Sequence, residues 1–192
     1  MRESSFQFAV GVFKRHGLLS VGGRILDVGG TPEVFYELNL PRHLSPWQRF
    51  RNALIRRLGG TARIKPNIVS RANPLGELFP KLEYLDRGYN REMLGTNQNF
   101  TLDFTKDEQV EHIFDQFRLV ISFDTLEHVN APKAFCQNLV RVAKPGSYIY
   151  LQTVFSYSYH PSPEDYYRFS PKGLEECFKG SWAEIIECDW EE

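Results

Sequence analysis

The chain has 192 residues, 42% hydrophobic and 24% charged, with a formal net charge of −1. That balance argues against recognition of nucleic acid by bulk positive charge, so no DNA partner is expected, and it argues against a disordered chain. The length suits one domain with a buried sheet, and three scattered cysteines (Cys136, Cys177, Cys188) with no CxxC pair point to free thiols rather than a disulfide frame or a zinc site.

Taken in chain order, Ser5 to Arg15 carries Phe6, Val10 and Phe13 at helical spacing. Lys14, Arg15 and His16 follow, then Gly17, so an amphipathic helix with a basic last turn is expected. The segment is too polar for a secretory leader. No apolar run reaches the ~18 residues of a membrane span, so the cytoplasm is the expected location. Arg24 to Val28 reads as the first strand and runs into Gly29-Gly30. Thr31-Pro32-Glu33 then reads as a helix start: a cap, a proline in the first turn and an acid at the positive end.

The stretch from about 38 to 81 differs from the rest and reads as a basic helical insertion. Ser45-Pro46 opens a helix with Trp47, Phe50, Leu54, Ile55 and Leu58 on one face. Between Pro41 and Lys81 there are nine Lys or Arg against one Glu. Such a segment is either a solvated helix face or an anion-facing lid, and the imbalance favours the lid.

Beyond it the pattern is regular. Leu82 to Asp86 is the second strand, Asn99 to Asp103 the third, Lys106 to Phe114 a short helix, and Arg118 to Phe123 the fourth strand. Asn130 is expected to cap a helix with Pro132 in its first turn, burying Phe135, Leu139 and Val142. Ser147 to Val154 is the fifth strand, Ser170-Pro171 opens a last helix, and Trp182 to Trp190 reads as a final strand. Alternating strands and helices imply an α/β, doubly wound, mostly parallel sheet in the order 3-2-1-4-5. Ligands of such sheets sit at the carboxyl ends of the strands, which brings Asp27, Asp86 and Asp103 to one crevice. Acids there also cap turns, but three in succession call for a cationic or donor-rich ligand.

Leu126-Glu127-His128-Val129, after an apolar strand, and Ala143-Lys144-Pro145-Gly146, one helix later, resemble the "L-E-H-V" and "L-K-P-G-G" blocks of class I S-adenosylmethionine-dependent methyltransferases. The resemblance implies a Rossmann-like methyltransferase fold over roughly Arg24 to Phe178, possessing at most one of the two usual closing strands. It implies S-adenosylmethionine as cofactor. Asp27 with Gly29 and Gly30 would face its methionine end, and Asp86 with Arg87 its ribose. Asp103 and Phe104 would meet its adenine, flanked by Phe123 and Asp124. The family's D-x-G-x-G-x-G loop is altered here to Asp27-Val28-Gly29-Gly30-Thr31-Pro32-Glu33. That alteration leaves open a second reading, a methyltransferase-like binding module without turnover. A nicotinamide dehydrogenase fits less well, because Glu33 stands where a pyrophosphate wants a bare helix start.

The stretch His160 to Ser170 resembles the "H-x-x-P-x-D-Y-x-R-F-[ST]" segment of methyltransferases associated with sugar and cell-surface polysaccharide pathways. Following the fifth strand, it should overhang the crevice and offer tyrosine faces and hydroxyls to a small, sugar-like or anionic acceptor. His160 and His128 are the candidate bases, and Tyr159, Asp165, Tyr166 and Arg168 the candidate acceptor contacts. Asp165 and Arg168 can instead bond each other and pin the loop. The residue pattern suggests no metal site. An unpaired strand at the sheet edge makes a homodimer an expectation.

Overall fold

A computed structural model describes residues 3–30, 33–37, 68–86, 100–161 and 164–189. The chain divides into two compact units, residues 1–32 with 73–192, and residues 33–72.

The first unit is built on β1 (Ile25–Val28), β4 (Leu82–Asp86), β5 (Phe100–Thr101), β6 (Phe117–Phe123) and β7 (Ala143–Gln152). Their order is β5-β4-β1-β6-β7, and every pair is parallel. Counting only these strands, this is the expected 3-2-1-4-5. Successive side chains point to opposite faces, and both faces are filled. On one side, Ile25, Leu119, Ile121 and Phe123 pack with Ala9 and Phe13 of helix α1 (Glu3–Arg15) and Leu75 of helix α2 (Pro74–Leu78). On the other, Leu26, Val28 and Val120 pack with Phe135, Leu139 and Val142 of α4 (Pro132–Val142) and Cys177 of α5 (Pro171–Phe178). The short helix α3 (Asp107–Val110) adds Val110 to this second layer. At roughly 1.5–3 kcal/mol for each large apolar side chain buried, these two layers supply most of the driving force.

The Lys144-Pro145-Gly146 turn appears as an excursion in the last ladder. Phe117 pairs with Ala143 and Leu119 already with Tyr148, so residues 144–147 loop out opposite Arg118. Gly146 takes the left-handed φ of 69° that this requires. Ser170 caps α5 as expected, its hydroxyl accepting from the Gly173 N–H at 3.2 Å.

Four expectations are corrected. Glu33–Glu37 is a strand, β2, paired antiparallel with β3 (Ile68–Ala72) as a two-stranded ribbon, so it does not continue a helix begun at Thr31-Pro32. Val34-Phe35-Tyr36 is a β-branched and aromatic run, and its strand preference outweighs the capping signal before it. Helix α4 is capped at Ala131 rather than Asn130, and Asn130 instead accepts from the Tyr167 hydroxyl through its carbonyl at 3.3 Å. Residues 182–189 form no strand: Trp182, Ile185 and Ile186 are exposed, and this tail is tied down by Glu187 pairing with Arg15 at 2.5 Å and His16 at 2.6 Å. The stretch 38–81 is also not uniformly helical, since it contains β3 and α2, and the helix expected from Ser45 lies outside the described residues. No described helix is long and apolar enough to cross a membrane.

Candidate functional site

The carboxyl ends of β1, β4 and β5 lie level. Val28 pairs with Leu85, and Asp86 with Thr101, so Asp27, Asp86 and Asp103 all fall near one end of the sheet. Asp27 shares its face of β1 with Ile25 and is 2% exposed. Its Oδ2 accepts from Asn73 Nδ2 at 3.3 Å. Burial pushes the Asp27 carboxyl up to about 7, with the Asn73 hydrogen bond opposing the shift. Tyr84, beside it, is pushed up to about 12, first by its own burial and then by the Asp27 charge.

The glycine turn fits this carboxylate closely. A Cβ on Gly30 would lie 1.9 Å from Asp27 Oδ2, and one on Gly29 only 2.2 Å from Thr125 Oγ1. Gly29 has φ 88° and donates its N–H to the Leu85 carbonyl at 2.7 Å. Glycine is therefore required at both positions, for close approach at each and for backbone conformation at Gly29.

The other cofactor candidates are placed as follows. Asp86 is the last residue of β4, and Arg87 lies outside the described residues. Asp103 turns its carboxylate onto the local backbone, Oδ1 accepting from the Thr105 N–H at 3.0 Å and the Thr105 hydroxyl at 2.7 Å. Phe104 is 4% exposed and packs edge-on to Phe135 with ring centroids 5.2 Å apart, inside the core layer. Phe123 stacks at a tilt on Tyr150, and Asp124 takes a left-handed φ of 45° while its N–H reaches the Gln152 carbonyl.

That sharp turn at Asp124 launches the 3₁₀ segment Leu126–His128, which carries the most unusual group of side chains. Glu127 is completely buried. Its Oε2 accepts from the Thr153 hydroxyl at 2.8 Å. Its Oε1 has no hydrogen-bond partner among the described residues and lies 3.8 Å from His128 Nε2 and 3.7 Å from His160 Nε2. Both imidazoles are oriented from behind: His128 Nδ1 meets the Glu164 carbonyl at 2.5 Å, and His160 Nδ1 meets the Ser158 carbonyl at 2.9 Å. A carbonyl only accepts, so each Nδ1 carries a proton, and in the neutral imidazole each Nε2 then presents a lone pair; Arg168 Nη2 also lies 3.5 Å from His160 Nδ1.

His160 belongs to a loop closed at its base by the Phe169 N–H to the Val154 carbonyl, and laid on the 3₁₀ segment by the Tyr166 N–H to the Glu127 carbonyl at 2.8 Å. Arg168 organises its interior. Its guanidinium donates to Asp165 Oδ1 at 2.5 Å and Oδ2 at 2.8 Å, and to the carbonyls of Tyr157, Ser158 and Tyr167. Asp165 also accepts from the His160 N–H at 2.8 Å. The Arg168 guanidinium beside it holds the Asp165 carboxyl far below the usual carboxylate range. Asp165 and Arg168 thus bond each other and pin the loop, while Tyr159 is 73% and Tyr166 49% exposed.

The arrangement brings His128 and His160 together, with a third member, Glu127, which the sequence marks only as part of the Leu126–Val129 block. Asn73, Thr125 and Thr153 were also missed as supports. The signal for Glu127 was its position three residues beyond Asp124, the acid that follows a strand buried at every position but Arg118.

A parallel sheet of this order, with a glycine turn after its first strand, defines the Rossmann-like class of nucleotide-binding domains. A family model described as "Methyltransferase domain" matches residues 6–179. The chain belongs to that family, and with it to the class I S-adenosylmethionine-dependent methyltransferases. No curated protein matches the chain. Among solved structures, one similar chain is the trans-methyltransferase CalH in complex with SAH, at 14% identity and a TM-score of 0.33. The likeness covers 67% of this chain and 31% of that one, so this chain spans about a third of that structure's length.

Proposed function

We propose that this chain transfers the methyl group of S-adenosylmethionine to an oxygen or nitrogen of a small, sugar-like acceptor. The observation that carries this reading is the turn Asp124–His128. It joins Thr125, packed on the glycine turn, to Glu127 and His128, which face His160. A donor at the glycine turn and an acceptor at the imidazoles would be neighbours.

The acceptor lone pair attacks the methyl carbon, the carbon–sulfur bond breaks, and its electron pair returns to sulfur. The acceptor proton passes to an imidazole Nε2, either His160 or His128, whose lone pair is exposed to it. Most of the rate would come from positioning, for which the Arg168-pinned loop and the exposed faces of Tyr159 and Tyr166 are suited. Tyrosine-rich, half-exposed surfaces favour a polar ring such as a sugar.

Calorimetry with S-adenosylmethionine and S-adenosylhomocysteine tests the reading: micromolar-range binding is expected. One observation favours the alternative of a binding module without turnover, namely the burial of Asp27 at a carboxyl pushed up to about 7, which weakens its pull on a cationic ligand. Absence of binding at millimolar ligand would select that alternative. A homodimer is part of the proposal, because β7 ends the described sheet with only β6 beside it. Sedimentation at a monomer mass would remove it.

A further inference from the structure

We propose that Glu127, His128 and His160 form a binding site for a divalent transition-metal cation. One ligand atom from each residue lies within 4.8 Å of the other two, and Glu127 Oε1 is 3.8 and 3.7 Å from the Nε2 atoms of His128 and His160. The Nδ1 protons face the Glu164 and Ser158 carbonyls, so in its neutral form neither imidazole brings a hydrogen to the meeting point. Oε1 is fully buried and has no hydrogen-bond partner among the described residues. An orphaned, buried carboxylate oxygen is unfavourable, and like lone pairs repel. A cation resolves both problems at once.

The supports around the trio also match what a metal requires. Ligating histidines usually donate the other ring N–H to a carbonyl or carboxylate, which fixes tautomer and direction, and ligating carboxylates are themselves hydrogen-bonded. Here both imidazoles are held by carbonyls, and Glu127 Oε2 is held by the Thr153 hydroxyl at 2.8 Å. His160 Nδ1 is further steadied by Asp165 Oδ2 at 3.4 Å. Two nitrogens and one oxygen suit Zn²⁺ or a similar first-row ion, whereas Mg²⁺ and Ca²⁺ prefer all-oxygen shells. Tetrahedral bonds to Zn²⁺ put ligand atoms about 3.3 Å apart. The distances from Glu127 Oε1 to the two Nε2 atoms, 3.8 and 3.7 Å, need to close by only a few tenths of an ångström, and the two imidazoles, whose ligand atoms lie within 4.8 Å, must draw together further.

The site keeps an open side, since the His160 side chain is 30% exposed. There an acceptor hydroxyl can join as a further ligand, and its bound form loses a proton more readily. The cation then does the work otherwise assigned to a free imidazole. The binding proposal itself does not depend on methyl transfer.

The test uses untagged full-length protein in a Cys188→Ser background, stripped with chelator and titrated with Co²⁺. Visible d–d absorption saturating at one equivalent is expected, displaced by Zn²⁺. His160→Ala and His128→Ala should each weaken Co²⁺ binding more than about a hundredfold, and His112→Ala should leave it unchanged. Should either variant fail to fold, the unmutated protein still decides. Zn²⁺ should shift the Nε2 resonances of two of the five histidines, and no others. Absence of both the band and the shifts, or a band that survives in folded His128 and His160 variants, overturns the site. Metal binding without activity would leave the site standing and count against methyl transfer. Activity without metal binding would do the reverse.

Discussion

Asn73 holds two things at once: its Nδ2 donates to Asp27 Oδ2 at 3.3 Å, while its Oδ1 accepts from the Leu75 N–H at 3.0 Å and so caps α2. Both partners are buried, and Asn73 itself is 4% exposed. Replacing it with alanine removes a cap worth about 1 kcal/mol and strips the buried carboxyl of a donor, which costs about 1–3 kcal/mol more. Asn73→Ala should therefore lower the urea midpoint well beyond the effect of an exposed cap. The control is Ser170→Ala at α5, whose hydroxyl is exposed. Equal losses for the two would show that the Asp27 contact contributes nothing.

Asp27 also makes stability depend on pH in an uncommon direction for an acid. Burial raises its folded-state pKa from 3.8 to about 7, so between these values the folded chain holds a proton that the unfolded chain has lost. Its stabilising share is complete below about pH 4 and disappears as pH rises through about 7, a difference on the order of a few kcal/mol. Asp27→Asn should flatten that decline in denaturation series. Binding of a cationic ligand should run the other way, tightening from about pH 6 to pH 8 as the carboxylate forms. A ligand affinity independent of pH in the unaltered protein would remove Asp27 from the cofactor site.

The strand order was legible because it rests on buried apolar runs ending in acids, a signal that needs no knowledge of distant partners. Val34-Phe35-Tyr36 misled for the opposite reason: two local rules disagreed, and a capping signal at Thr31-Pro32 was set above strand preference at the next residues. Trp182, Ile185 and Ile186 have a strand's composition, but composition does not provide a neighbour to pair with. The three strand-end acids could be placed at one end of the sheet from order alone. Glu127 could not be matched with His160, since no periodicity connects a 3₁₀ turn after β6 to a loop after β7. Only the folded loop, laid on the Glu127 carbonyl, brings them together.

Arg168 offers a way to separate loop order from chemistry. Its guanidinium reaches Asp165 and three carbonyls of the same loop, and touches neither Asp27 nor the glycine turn. Arg168→Ala should leave S-adenosylmethionine binding intact while reducing kcat/KM for the acceptor on the order of 10–100-fold, since small misplacements of reacting groups are costly. Limited proteolysis should cut the loop faster. Arg168→Lys restores the charge but not the forked donors, so it should rescue little. Full activity in either variant would mean that the loop keeps its shape without this hub.

Asp86 provides the sharpest test of where the cofactor sits. It closes β4 one residue beyond the pairing of Val28 with Leu85, and under the proposed cofactor reading its carboxylate accepts from the ribose hydroxyls. Charge-assisted hydrogen bonds of that kind are worth about 1.5–3 kcal/mol. Asp86→Ala should therefore weaken both S-adenosylmethionine and S-adenosylhomocysteine by about tenfold or more, and by similar factors, because the two ligands share the ribose and differ only at sulfur. Asp27→Asn should act differently: if Asp27 faces the positive methionine end, its loss weakens the sulfonium ligand more than the neutral thioether. Calorimetry on the four protein–ligand pairs reads this contrast directly. A uniform loss at Asp27 with no loss at Asp86 would mean that the ligand lies across the sheet end in the opposite sense.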